Sequence, residues 1–499
     1  MPLPAPPLPA MPGGASGPDD FPGWLPPMLV KELRQGLRTR GFVITLVVFQ
    51  VALVLLFIWA LNAGAAGDRF AMRGGSGIFW TVLCCLLLGI MPPRGMASLR
   101  EELEARTIDL LLLTRLTPWR IVAGKWVSLM AQAALLTVSM LPYAVVRYFF
   151  GAVDIVSDLV LIAVLYGCCG VLTAAGLCLA GLPKLLRGLV VPGAFILVIT
   201  LMNALAFAGR SFLSSESAWW TTAQVVFDGG LLVWLLLVLA MRWFAPPSLG
   251  SSGRVRLVSV LILAGTFVFA LANGEQAALQ VVIGICAFAV VCLVELCEMR
   301  LPMPAHVRPW WRRGGFGKAV GVFTLPGWPS GVWFAGAGLA LVAGSLLVVD
   351  AVTKGVSAFD RFYPFRLAAL AWCGLVFPVL LMSFVPLPRA AAMVSYLLVQ
   401  VVAGVFAAIS GARWIFQGNR SLEAVLESVA RVLPGSGFWL ALAGDKSWSG
   451  WDGTHVSRAV VLCLLVAAVA WRSRRYWRTV RIAGADADAG TGAAETDET

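Results

Sequence analysis

Lys31, Glu32, Arg34, Arg38 and Arg40 crowd into residues 28–40, MLVKELRQGLRTR. Leu29, Leu33 and Leu37 recur every four residues among them, so they line one face of a helix and the charges take the rest. Such a helix lies in a membrane interface with its basic side toward the headgroups; the plainer alternative is a cationic flank that marks a cytoplasmic side. A second segment, residues 98–125, reads SLREELEARTIDLLLLTRLTPWRIVAGK. Ser98 and Glu101 stand at capping-box spacing, which predicts a helix start. Thr117 followed by Pro118 reads as an N-cap with a first-turn proline, so a new helix begins there. Between these signals, Glu101, Glu102, Glu104, Arg106 and Asp109 surround the apolar run 108–113. Apolar anchors with charged flanks suit docking in a groove of a soluble partner; the alternative is an ordinary loop helix at the interface.

Other chemistry is scarce. GxxxxGK[ST] does not occur, because Gly124-Lys125 and Gly317-Lys318 lack the upstream Gly and the following Ser or Thr, so the chain has no P-loop for ATP. HExxH, GxSxG and Asp-rich metal motifs are absent, and the only two histidines, His306 and His455, are far apart. Nearly all ten cysteines sit inside apolar runs, where Cys acts as a small hydrophobe. Asp350, Lys354, Asp360, Arg361 and Arg366 form a polar group that fits either solvated loop charge or the site of a membrane transferase. No catalytic residue, cofactor site or metal site is expected.

The elements that must carry these segments are membrane spans. Of 499 residues, 59% are hydrophobic and 13% charged, about half the charge of a soluble domain, and the mean hydropathy is +0.85. A soluble globule, a disordered chain and a coiled coil are excluded, and an all-α polytopic membrane protein is implied. Twelve spans are expected, near 42–61, 77–92, 121–146, 159–182, 189–208, 223–241, 257–273, 277–294, 332–349, 367–385, 393–410 and 459–471. With the N-terminus in the cytoplasm, 26 of the 38 Lys and Arg fall in inward segments, which supports an even span number and two cytoplasmic termini. The net charge of +12 then reflects this bias and anionic lipid, with no nucleic acid as partner. Glu295 is expected at an inner span end, Asp228 and Arg210 near outer ends, and no span carries a central ionisable group, which argues against ion-coupled transport. Gln50, Gln132, Asn203 and Gln400 are expected to bond helix to helix. Residues 1–23 and the acidic 483–499 read as disordered tails.

The order of the two charged segments resembles the permease subunits of type-2 ATP-binding-cassette transporters. In that family an acidic residue, a Thr, a Leu-rich turn and a Pro lead to a Gly-Lys at the start of the third span. Glu101 or Glu102, Thr107, Asp109, Leu110 to Leu113, Pro118, Gly124 and Lys125 look like those positions. The resemblance implies an elbow helix carrying Lys31, Glu32, Arg34 and Arg38. It also implies a coupling helix at 98–117, with Glu101, Glu102, Glu104, Arg106, Thr107, Asp109, Leu110, Leu113 and Thr117 facing a separate ATPase subunit. Residues 24–245 would form one six-span unit. Residues 246–482 would be either a degenerate second unit or an insertion followed by a family-like final span. The expectation is an ATP-driven exporter permease in a bacterial inner (plasma) membrane. Hydrolysis would sit on the partner, leaving this chain no enzymatic role, and a second copy or another permease could stand beside it. A polytopic enzyme acting on lipid-linked substrates and a membrane scaffold of a surface-assembly or motility complex are the rival readings.

Overall fold

The computed structural model describes residues 27–65, 79–105, 117–149, 155–182, 218–242, 252–273, 277–296, 327–352, 358–382, 389–411 and 463–474, with isolated positions between them. Among these, every regular element is a helix. In chain order they are α1 (Pro27–Arg38), α2 (Arg40–Ala65), α3 (Phe79–Glu104), α4 (Pro118–Val138), α5 (Leu141–Phe149), α6 (Ile155–Leu179) and α7 (Ala218–Met241). Then follow α8 (Ser252–Asn273), α9 (Ala278–Leu296), α10 (Trp328–Val352), α11 (Ala358–Leu375), α12 (Phe377–Met382), α13 (Arg389–Gly411) and α14 (463–474).

Seven helical stretches among the described residues are long and apolar enough to cross a membrane: those of α2, α3, α4, α6, α8, α10 and α11 with α12. Three shorter apolar stretches lie in α7, α9 and α13. The seven fall on the first four, the seventh, the ninth and the tenth expected spans, and the three shorter stretches overlap the sixth, eighth and eleventh without reaching spanning length. The fifth, 189–208, lies outside the described residues, and the twelfth is described only from 463. The outer faces fit lipid. On α2, Phe42, Phe49 and Leu53 turn inward while Ile44, Val48 and Leu55 are about 60% exposed, and Leu398 and Val401 of α13 do the same. Water would penalise such faces and hydrocarbon would not.

One expectation is corrected. The second span was expected to end at Pro92, with a fresh helix capped by Ser98. Instead α3 runs unbroken from Phe79 to Glu104, and the Ser98 hydroxyl donates back to Gly95 O inside the helix (2.9 Å). The reason is a π-helical turn, Cys85–Ile90, just ahead of Pro92 and Pro93. In π winding Leu87 O would accept from residue 92, and proline has no N–H to give. The Cys169 thiol of α6 donates to Leu87 O instead (3.2 Å). Proline is absorbed the same way elsewhere. Pro378 cannot donate to Gly374 O, α11 gives way to α12, and the Gln400 amide of α13 donates to that carbonyl (2.8 Å). Gln400 thereby takes the helix-to-helix role expected of it.

Two apolar cores result. One holds Phe49, Leu53, Leu83, Leu87, Leu136 and Cys169 from α2, α3, α4 and α6. The other starts at Leu99, Val122 and Leu177, at the opposite end of those helices, and continues through α7 to α12 and on to Tyr396 of α13 and Val469 of α14. Helices α3 and α6 approach most closely. A Cβ on Gly176 would lie 2.3 Å from Pro92 O, and one on Gly95 3.1 Å from Thr173 O, so only glycine lets the backbones meet. The Trp126 indole donates to Gly170 O and the Tyr166 hydroxyl to Met130 O, both at 3.0 Å, tying α4 to α6.

Candidate functional site at the charged end of the bundle

Helix α4 begins as expected. Thr117 is extended (φ −73°, ψ 143°) and Pro118 occupies the first turn, where its missing N–H costs nothing; no side-chain bond closes the cap. From that start, Ile121, Lys125, Ser128, Gln132 and Leu136 fall on the buried face. Lys125 is a cation on a buried stripe, and it needs partners. Glu102, near the end of α3, lies 2.8 Å from its Nζ, and Glu32 of α1 lies at 3.5 Å. One ammonium thus ties together three segments distant in sequence: α1, the tail of α3 and the foot of α4. The seat for α1 is Gly36, where a Cβ would come within 2.3 Å of the Gln132 amide.

The elbow residues divide by face. Glu32 turns inward to Lys125, while Lys31, Arg34 and Arg38 are exposed. Of the expected coupling residues, Glu101 is exposed, Glu102 is half-buried, and Glu104 pairs with Arg100 on the surface (2.7 Å). Thr117 is exposed at the foot of α4. Arg106, Thr107, Asp109, Leu110 and Leu113 lie outside the described residues.

A second ionic cluster stands at the same end. The Trp119 ring at the start of α4 meets Trp234 of α7 (centroids 6.2 Å), and that helix runs on to its last turn at Met241. From that turn Arg242 reaches Glu295 of α9 (2.6 Å) and also donates to the Ser252 hydroxyl. Arg256 of α8 pairs with the other Glu295 oxygen and donates to the Ser330 hydroxyl (2.8 Å) and Phe323 O (2.9 Å). Arg256 and Glu295 are completely buried. Ser330 passes the network on to Gly327 O (3.0 Å), where Gly327 holds φ 104° just before α10.

Sequence reasoning places Glu295 at an inner span end but leaves it without a partner. The missed signal is electrostatic: Arg256 and Glu295 each lie inside an apolar run at a span end, and each would be too costly there alone. Asp228 lies close to the start of the apolar stretch Val226–Met241 of α7, eleventh of the 24 residues of the whole helix, and accepts from Gln224 (2.7 Å). The helix starts at Ala218, a turn earlier than expected. Arg366 falls inside α11 rather than in a loop, and Asp350 inside α10.

No family model, no curated protein and no solved structure matches the chain.

Proposed function

We propose that the chain is the permease subunit of an ATP-driven exporter, forming the pathway while a separate ATPase supplies hydrolysis. The observation that carries this reading is the Glu32–Lys125–Glu102 tie. The two segments whose order carries the family resemblance, 28–40 and 98–125, are far apart in sequence, and one buried ammonium at the start of α4 holds Glu32 of the first and Glu102 of the second. A joint of this kind is what a permease needs at its base. A push on residues 98–117 moves α3 directly, since its tail is part of that segment, and moves α4 and the interfacial α1 through Lys125. The chain's lack of a P-loop fits a partner that binds the nucleotide. In the full reading twelve spans lie in a bacterial inner membrane with both termini in the cytoplasm, α1 rests on anionic headgroups through Lys31, Arg34 and Arg38, and Leu110 and Leu113 anchor the ATPase.

The test is the variant Leu110→Ala with Leu113→Ala. Buried anchors dominate affinity, at about 1–3 kcal/mol each, so recruitment of the ATPase should fall roughly ten- to hundredfold while the protein still inserts. Arg120→Ala, past Pro118, is the control and should change little. Full ATPase recruitment by the double variant would reduce 98–117 to a loop helix and remove the reading.

A further inference from the structure

Arginine cannot shed its proton inside a protein, so a sheltered guanidinium without a carboxylate on it needs an anion from elsewhere. Arg94 of α3 is such a group. It stands about two turns before Glu102, at the level where α1 hands over to α2. Its guanidinium carbon lies 5.6 Å from the centroid of the Phe42 ring, and its Nη2 lies 3.8 Å from where a Cβ on Gly41 would be. The residue is half-buried, and its Nη1 is shut away from solvent with no hydrogen-bond partner. The Phe42 ring offers its face to the cation, but a ring has no charge to balance it.

The neighbouring helices do not supply that balance. Helices α1 to α4 carry four carboxylates, Glu32, Glu101, Glu102 and Glu104. Lys125 engages Glu32 and Glu102, Arg100 engages Glu104, and Glu101 is exposed on the tail of α3. Helix α2 has no ionisable side chain after Arg40. The charges nearest in sequence to Gly41 add to the excess. Arg38 and Arg40 flank Thr39, the break between α1 and α2, and both are exposed. The Thr39 hydroxyl donates to Gly36 O (2.7 Å) and holds that turn closed. Directly after the turn, α2 presents an apolar strip: Val43, Ile44, Val47, Val48 and Val51 are all exposed. A site for an anion that continues into a strip for hydrocarbon has the shape of a phospholipid. A free phosphate would use the arginines and leave the strip bare.

We propose that Arg94, with Arg38 and Arg40 at its mouth, binds the phosphate of one anionic phospholipid whose acyl chain lies along the exposed face of α2. Guanidinium groups hold phosphate oxygens through paired, charge-assisted hydrogen bonds. This differs from the general attraction of α1 to headgroups. Lys31 and Arg34 are exposed and water serves them, whereas half of Arg94 is closed to water and its charge calls for a fixed partner. The bound lipid would fasten the turn between α1 and α2 to α3. The site needs a membrane and is independent of any ATPase.

The experiment is titration of the delipidated full chain, in detergent, with phosphatidylglycerol, read by native mass spectrometry. One tightly held lipid is expected, and phosphatidylcholine, whose phosphate is masked by its own cation, should bind about tenfold more weakly. Arg94→Met, which keeps the length and removes the charge, should weaken phosphatidylglycerol binding about tenfold as well. Arg100→Gln, on the surface of the same helix, should leave it unchanged. Equal binding of the two lipids, or equal losses in the two variants, overturns the proposal, because apolar contact or diffuse charge would then hold the lipid. Inorganic phosphate that displaces phosphatidylglycerol at the lipid's own concentration gives the arginines to a free anion and overturns it too. Should Arg94→Met not fold, a phosphatidylglycerol with a photoreactive group near the start of one acyl chain decides the matter on the unmodified protein. Labelling concentrated in residues 43–51 upholds the site, and labelling spread evenly over the exposed helices sinks it.

Discussion

The two ionic clusters at the charged end are electrical opposites. In the first, one ammonium lies between two carboxylates; in the second, one carboxylate lies between two guanidinium groups. The surroundings differ as much as the signs. Lys125 is buried, but its partners retain contact with solvent, with side-chain exposures of 15% for Glu32 and 22% for Glu102. Arg256 and Glu295 have none. An ammonium is a compact charge on a flexible stem and can trade partners at little cost, whereas a guanidinium holds its partners in a fixed fork. The first cluster is therefore built as a joint that tolerates movement, and the second as a fixed anchor.

Breaking the anchor should have the larger effect. Glu295→Ala leaves the buried Arg256 guanidinium without its carboxylate and facing the partly exposed Arg242, and loss of one partner from a buried ion pair costs about 3–5 kcal/mol. Thermal unfolding in detergent should show a clear loss of stability, and an unchanged midpoint would mean that water reaches Arg256. Lys125→Met should cost less, about 1–2 kcal/mol, because Glu32 and Glu102 can recover water. Its signature is release of α1: protease accessibility of 27–38 should rise while the rest of the chain stays protected. Equal losses for the two variants would erase the distinction between joint and anchor. The smallest effect is expected at Gly36. A methyl there displaces the Gln132 amide, which can swing aside, so Gly36→Ala should cost under about 1 kcal/mol, and adding Gln132→Ala should restore the seat. Failure of that rescue, read by the same protease assay, would show that α1 is seated elsewhere.

What the sequence discloses follows the range of the interaction involved. Thr117 and Pro118 announce the start of α4 because a cap is decided within four residues. The apolar spans announce themselves because twenty residues of one character need no partner to be recognised. Ser98 misleads for the same local reason: its capping spacing is genuine, but the π turn thirteen to eight residues earlier carries α3 past two prolines and leaves nothing to cap. The pairing of Lys125 with Glu32 spans 93 residues, and no periodicity records it. The Glu295 cluster was half legible. Its charges could be seen at span ends, but which end meets which depends on α9 packing between α8, α10 and α11.

The π turn at Cys85–Ile90 also constrains how this chain can change by insertion and deletion. Each residue added to a helix rotates everything beyond it by about 100°. The extra residue stored in that turn therefore sets the phase at which the far half of α3 meets its neighbours. Remove one residue there, and α3 could rewind as a regular helix of nearly the same length and hydropathy. Gly95 would then turn away from Thr173, and Glu102 from Lys125. Sequences descended from the same ancestor should keep the spacing between Cys84 and Glu102 strictly. Where they lose a residue from it, the Pro92-Pro93 pair and the cation at position 125 should be lost together.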